Sequence, residues 1–186
     1  MFRFMTGATM ACALMAATAS MAVAQEKTVM VGGAAMYPSK DIIDNAVNSK
    51  DHTTLVAAVK AAGLVDTLKS AGPFTVFAPT NAAFAALPAG TVDTLLKPEN
   101  KATLTKILTY HVVPGKLDSK ALMEQAKMHG GMATLKTVSG GTLTVVMHGM
   151  GLALKDEKGG MAEITIPDVM QSNGVIHVIA SVAMPK

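Results

Sequence analysis

From Ser39 onward the apolar positions recur with a helical period. Ser39 or Asp41 can cap a helix whose Ile42, Ile43, Ala46 and Val47 form one stripe. Thr53 or Thr54 opens a second helix carrying Leu55, Val56, Ala58, Val59 and Ala62, and Gly63 supplies its left-handed C-terminal cap. A short helix over 64–68 leads to Gly72-Pro73, which forces a turn. Phe74 to Ala78 then reads as a buried strand, ended by Pro79, which has no ladder donor. Thr80 or Asn81 caps a helix starting at Ala82. Thr91 to Leu95 and Glu99 to Thr109 are helical again, the latter with Leu104, Ile107 and Leu108 on one side. Tyr110 to Val113 reads as a strand closed by Pro114-Gly115, and Ser119 caps a helix over Ala121 to Lys127, broken at Gly130-Gly131.

At Met132 the period changes. Ala133–Val138, Thr142–Met147, Leu152–Lys155 and Met161–Ile166 are short β-branched runs separated by glycines, an antiparallel meander. Asn173-Gly174 signals a further hairpin, both residues tolerating positive φ, and launches the strand Val175 to Ile179. Helices in the first half and hairpins in the second predict a single α+β domain over 39–185. Residues 25–38 show no sustained period and read as an N-terminal extension.

The first 24 residues change the picture of where the chain works. Arg3 precedes a stretch dominated by Ala and Met, and Ala22-Val23-Ala24 fits the small-x-small rule for signal-peptidase cleavage before Gln25. The expectation is an exported protein, in the periplasm, at the cell surface or outside the cell, with no membrane span after cleavage. The single cysteine, Cys12, lies in that segment, which leaves no thiol chemistry in the mature domain. Without Arg3 there are fifteen basic and thirteen acidic residues, a net charge near +2 and too little for a nucleic-acid footprint. Phe74, Phe77, Phe84, Tyr37 and Tyr110 are the only aromatics after the leader, too few for a base-stacking platform.

Three ordered segments carry a family resemblance. Gly72-Pro-Phe-Thr-Val-Phe-Ala-Pro-Thr-Asn-Ala-Ala-Phe84, Tyr110-His-Val-Val-Pro-Gly115 and Asn173-Gly-Val-Ile-His-Val-Ile179 closely resemble the two signature boxes and the central Tyr-His motif of the fasciclin (FAS1) domain. The resemblance implies a β-wedge or sandwich of short antiparallel strands with several helices packed around it. It also implies that the two boxes supply adjacent core strands. Ala180 departs from the pattern, where the family commonly has an acidic residue.

What the resemblance implies functionally is an exported, non-enzymatic module for cell adhesion or matrix interaction. Its partner would be a protein at a cell surface or in the matrix, and the module a monomer or weak homo-oligomer needing no cofactor. Tyr110, His111 and Asp168 are the candidate contact residues. Each also has a structural reading: the Tyr-His pair is flanked by Ile107, Leu108, Val112 and Val113, and Asp168 is a turn former. His177 shares a strand face with Val175 and Ile179, which points inward. The alternative function is a periplasmic small-ligand or copper-binding protein. Met128, His129, Met132, Met147, His148 and Met150 offer thioether and imidazole groups suited to Cu(I). The competing reading of these methionines is gap-filling on hairpins. No elbow, zinc or phosphate-loop motif points to an enzyme.

Overall fold

The computed structural model describes residues 27–186, so the expected leader and Cys12 lie outside the described residues. Strands β1 (Val29–Val31) and β2 (Ala34–Met36) form a hairpin of their own. Although this stretch lacks a sustained period, Val31 and Met36 are buried against the core. Four helices border the first box: α1 (Ile42–Ala46), α2 (Thr53–Ala62), α3 (Val65–Lys69) and, after strand β3 (Phe74–Pro79), α4 (Asn81–Ala85). Their ends follow the expected chemistry. Asp41 accepts from the Asp44 amide at 2.8 Å, Thr80 from the Ala83 amide at 3.2 Å, and Gly63 is left-handed with φ 73°.

Helices α5 (Thr91–Leu95) and α6 (Lys101–Tyr110) lead to the short strand β4 (Val112–Pro114). Tyr110 is thus the last residue of a helix, not the first of a strand: the apolar text on both sides is continuous, but the chain turns at His111. Helix α7 (Ser119–Met128) starts earlier than expected, because Asp118 and not Ser119 is the cap, accepting from the Ala121 amide at 2.8 Å.

The meander comprises β5 (Met132–Lys136), β6 (Thr142–His148), β7 (Gly151–Lys155), β8 (Met161–Gln171) and β9 (Gly174–Ile179). The seven strands are ordered β4-β3-β9-β8-β7-β6-β5. All neighbours are antiparallel except β3 and β9, the two box strands, which run parallel from Phe74↔Gly174 to Pro79↔Ile179. Two irregularities in β8, between Ile164 and Ile166 and between Ile166 and Val169, interrupt its register with β9. Beyond β5, the Val138 amide donates to the Val112 carbonyl at 2.8 Å, so the wedge nearly closes on itself.

The alternation along β3 and β9 divides the molecule into two cores. Val76, Ala78, Ile176 and Val178 face α1–α3 and α6, while Phe77 and Ile179 face the interior of the wedge with Leu122, Leu143, Val145 and Leu154. Both faces of this strand pair are therefore dry, and its ladder needs close approach. A Cβ on Gly174 would lie 2.0 Å from the Phe74 carbonyl oxygen. Neither Asn173 nor Gly174 has positive φ, contrary to the turn expected there. Gln171 pairs with Gly174 across a Ser172-Asn173 loop, and the glycine is required by packing. The Asn173 side chain accepts from the Ile42 amide at 3.1 Å and donates to the carbonyls of Leu68 at 2.7 Å and Ser70 at 3.1 Å. One amide group thus holds α1 and the end of α3 against the β8–β9 loop.

Replacing Asn173 by Ala leaves those three backbone groups without their partner. The expected loss is about 2–4 kcal/mol of unfolding free energy in urea titration. A loss below roughly 0.5 kcal/mol, the range of an ordinary surface change, shows that the clamp does not hold the helices.

Candidate functional site

Tyr110 and His111 are buried, with 0% and 2% of their surface exposed, so neither is available to touch a partner. Their polar atoms are spent internally. The Tyr110 hydroxyl donates to the Thr142 carbonyl at 2.6 Å and accepts from the Glu157 amide at 3.2 Å, joining α6 to two hairpin turns. The ring lies so close to Gly141 that a Cβ there would meet it at 2.7 Å. Burial, together with the nearby Glu157 and Asp156 charges, pushes the phenol up to about 12. His111 Nδ1–H donates to the Ile107 carbonyl at 2.8 Å, and Nε2 accepts from the Ala183 amide at 3.0 Å. This is a neutral ring with both nitrogens satisfied, and its burial lowers the pKa to about 4. The pair acts as a clasp that fastens the C-terminal tail and the meander to α6. Asp156 and Glu157 complete it by accepting from the Met184 and Lys186 amides.

Asp168 is not a simple turn former. It is the only non-glycine with positive φ (58°) among the described residues and sits at the β8 irregularity. Its carboxylate accepts from the Ser119 amide at 2.6 Å and from the Ser119 hydroxyl in a very short contact. Its own amide donates to His177 Nδ1 at 3.3 Å, and His177 Nε2–H donates to the Leu117 carbonyl at 2.8 Å. His177 is fully buried and stacked on Phe77 at 5.5 Å between centroids, with its pKa lowered by burial. Ser119, expected only as a cap, was invisible as a partner of Asp168 because 49 residues separate them. Asp168 holds the start of α7 on the wedge, and the Ser-Asp-His trio contains no serine-to-histidine bond that could activate a nucleophile. Ala180 is exposed, so the departure from the family pattern leaves no buried polar gap.

The six Met and His residues lie at one end of the wedge, where α7 runs into β5 and β6 turns into β7. Met132 pairs with Val146, which places it with His148 on the outer face of the sheet. Met147 points to the opposite face, the one that α7 covers, and Met128 and His129 end that helix. Alternation along β6 therefore divides the expected copper ligands between two faces. Met150 stands at the β6–β7 turn, fully exposed, and Met128 is 80% exposed.

Two changes probe the internal polar groups. His111 releases its proton near pH 4 when folded and near 6.5 when unfolded. Between those values the unfolded chain binds the extra proton, so stability present above pH ~6.5 is lost as pH falls towards 4, by about 3 kcal/mol. Denaturation midpoints from pH 7 to 4 should show a shallower decline for His111→Gln than for the unmodified protein; parallel curves would remove His111 as the source. Asp168→Gly relieves the backbone strain at φ 58° but deletes two charge-assisted bonds. The bonds outweigh the strain, and a net loss of about 2 kcal/mol is expected by thermal or urea unfolding, with a gain in stability contradicting this account.

Comparison with known proteins agrees with the geometry. The fasciclin domain family model matches residues 50–185. A Synechocystis protein, sll1483, is 48% identical over 162 residues, covering 86% of this chain and 82% of its own. The immunogenic protein MPB70 of Mycobacterium bovis is 41% identical over 145 residues, 75% of this chain and 66% of that one. Among solved structures, a FAS1 domain pair from the insect cell adhesion molecule Fasciclin I superimposes with a TM-score of 0.71 at 18% identity, over 78% of this chain and 51% of that chain. Box strands side by side and the matching family model together establish that the chain belongs to the fasciclin domain family.

Proposed function

We propose that the protein is an exported, non-enzymatic interaction module that binds a protein partner at the cell surface, in the periplasm or in the surrounding matrix. The observation that carries this reading is the division of labour between inside and outside. Tyr110, His111, Asp168 and His177 are engaged in bonds that hold segments together, while Met128, Met132, Met147 and Met150 stand exposed at one end of the wedge. Exposed methionines give a pliable apolar surface that adapts to a partner's shape. The leader-like first 24 residues support export. An immunogenic mycobacterial relative and an insect adhesion molecule of the same fold support a role outside the cytoplasm. Among the described residues no helix is long and apolar enough to cross a membrane.

In this reading Tyr110, His111 and Asp168 act indirectly, by fixing α7 and the meander whose ends carry the exposed methionines. The test is attachment of envelope or matrix proteins to the immobilised protein. Changing Met128, Met132, Met147 and Met150 together to Ser should leave the unfolding midpoint nearly unchanged, because each is exposed, and reduce attachment at least tenfold. Equal attachment by the variant places the contact elsewhere, and no attachment by the unmodified protein defeats the interaction reading.

A further inference from the structure

Cys12 lies in the leader-like segment and the chain has no tryptophan, so the thioether sulfurs are the groups of the domain most open to two-electron oxidants. We propose that Met128, Met132, Met147 and Met150 form a reversible oxidation site. A peroxide converts their thioethers to sulfoxides and turns this apolar end of the wedge polar while the fold stays intact.

Two backbone hydrogen bonds bring these residues to one end. The Gly131 amide donates to the Ala126 carbonyl at 2.7 Å, which folds the end of α7 back into β5. The Met147 amide donates to the Gly131 carbonyl at 3.1 Å, which sets β6 beside the same turn. Met128 is the last residue of α7 and Met132 the first of β5, while Met147 and Met150 flank the tip where β6 turns into β7.

Exposure then sorts the sulfurs. Met150 is fully exposed, Met128 80%, Met132 52% and Met147 42%, whereas Met36 keeps 3% and packs in the helix-side core. Oxidant meets the first four from solvent and meets Met36 only when the domain opens. The products divide in the same way. A sulfoxide on an exposed side chain is hydrated and leaves the packing alone, and none of the four belongs to either hydrophobic core. At Met36 the same change would bury a polar oxygen among aliphatic side chains.

The reaction needs only the oxidant. With hydrogen peroxide, the sulfur lone pair attacks one oxygen, the S–O bond forms as the O–O bond breaks, and the second oxygen leaves with both protons as water. Sulfur loses two electrons and the peroxide gains them. In reverse, a dithiol reductase removes the oxygen as water while its thiols close to a disulfide. Each turn of this cycle exchanges a flexible apolar group for a polar one, here at four neighbouring positions. Its value as a control of partner contact rests on the reading of this end as the contact face, whereas the selective oxidation does not.

The probe is hydrogen peroxide at neutral pH, with oxidation followed by peptide mass mapping. Met150 and Met128 should convert first and Met132 and Met147 next, all roughly tenfold or more faster than Met36. The unfolding midpoint should hold while retention on a hydrophobic-interaction column falls. Retention should return after treatment with the two epimer-specific methionine sulfoxide reductases and dithiothreitol. Met30 and Met161 are also exposed, but one lies on the separate β1–β2 hairpin and the other pairs with Lys155 at the far end of β7. The combined variant M128L, M132L, M147L and M150L therefore isolates the site, since leucine stays apolar and does not react. Its retention should survive peroxide. The proposal is overturned if Met36 reacts as fast as the four, if the midpoint falls in step with their oxidation, if retention is not restored, or if the leucine variant loses retention equally. Failure of the unmodified protein to attach to envelope or matrix proteins defeats the contact reading alone, because none of these readouts uses a partner.

Discussion

Gly174 lies so near the Phe74 carbonyl that any side chain there would push the two box strands apart. The parallel ladder between β3 and β9 is the constraint on which the rest of the molecule depends. Its two strands are about ninety-five residues apart in the chain, and both of their faces are buried. One face gives the helices something to cover, and the other closes the wedge. Asn173 sits beside this ladder and converts it into a clamp, binding backbone groups of α1 and of the segment after α3. The short helices of the first half need that support, since five-residue helices have little stability of their own.

The histidines show how the fold uses chemistry-bearing groups. His111 and His177 are neutral, buried and bonded through both nitrogens to backbone, one bond of each reaching a segment far away in sequence. His111 ties α6 to the C-terminal tail, and His177 ties β9 to β8 and to the segment before α7, each at a point where a charged group would be expelled. His52 is buried in the same way and bonds through Nδ1 to the Ser49 hydroxyl. Burial of these rings also ties the stability of the whole domain to acid pH, since all three have lowered pKa values.

Much of the fold was legible in the residues. Gly63 as a left-handed cap, Thr80 as an N-cap, Pro79 at the end of β3 and the period-two runs of the meander behave as local physics requires. The errors have a common cause. The segment 29–36 has too few residues to show a period, but it finds partners in the core for Val31 and Met36. Asn173-Gly174 looked like a two-residue turn, yet the glycine serves a close strand approach and the asparagine serves two helices. Tyr110 and His111 looked like a possible contact pair because sequence does not reveal that Thr142, Glu157 and Ala183 lie within bonding distance.

By itself the sequence determined the class of domain, the family resemblance, the order of helices and hairpins, the leader-like start and the lack of motif chemistry. These depend on spacing between neighbours, which a linear text records. Tertiary structure alone decided which polar groups are consumed and which are left over. It joined Asp168 to Ser119 and divided the Met and His residues between two faces. Those outcomes depend on distances between residues far apart in the chain, set by the packing of β3 against β9 and not by the local pattern of either strand.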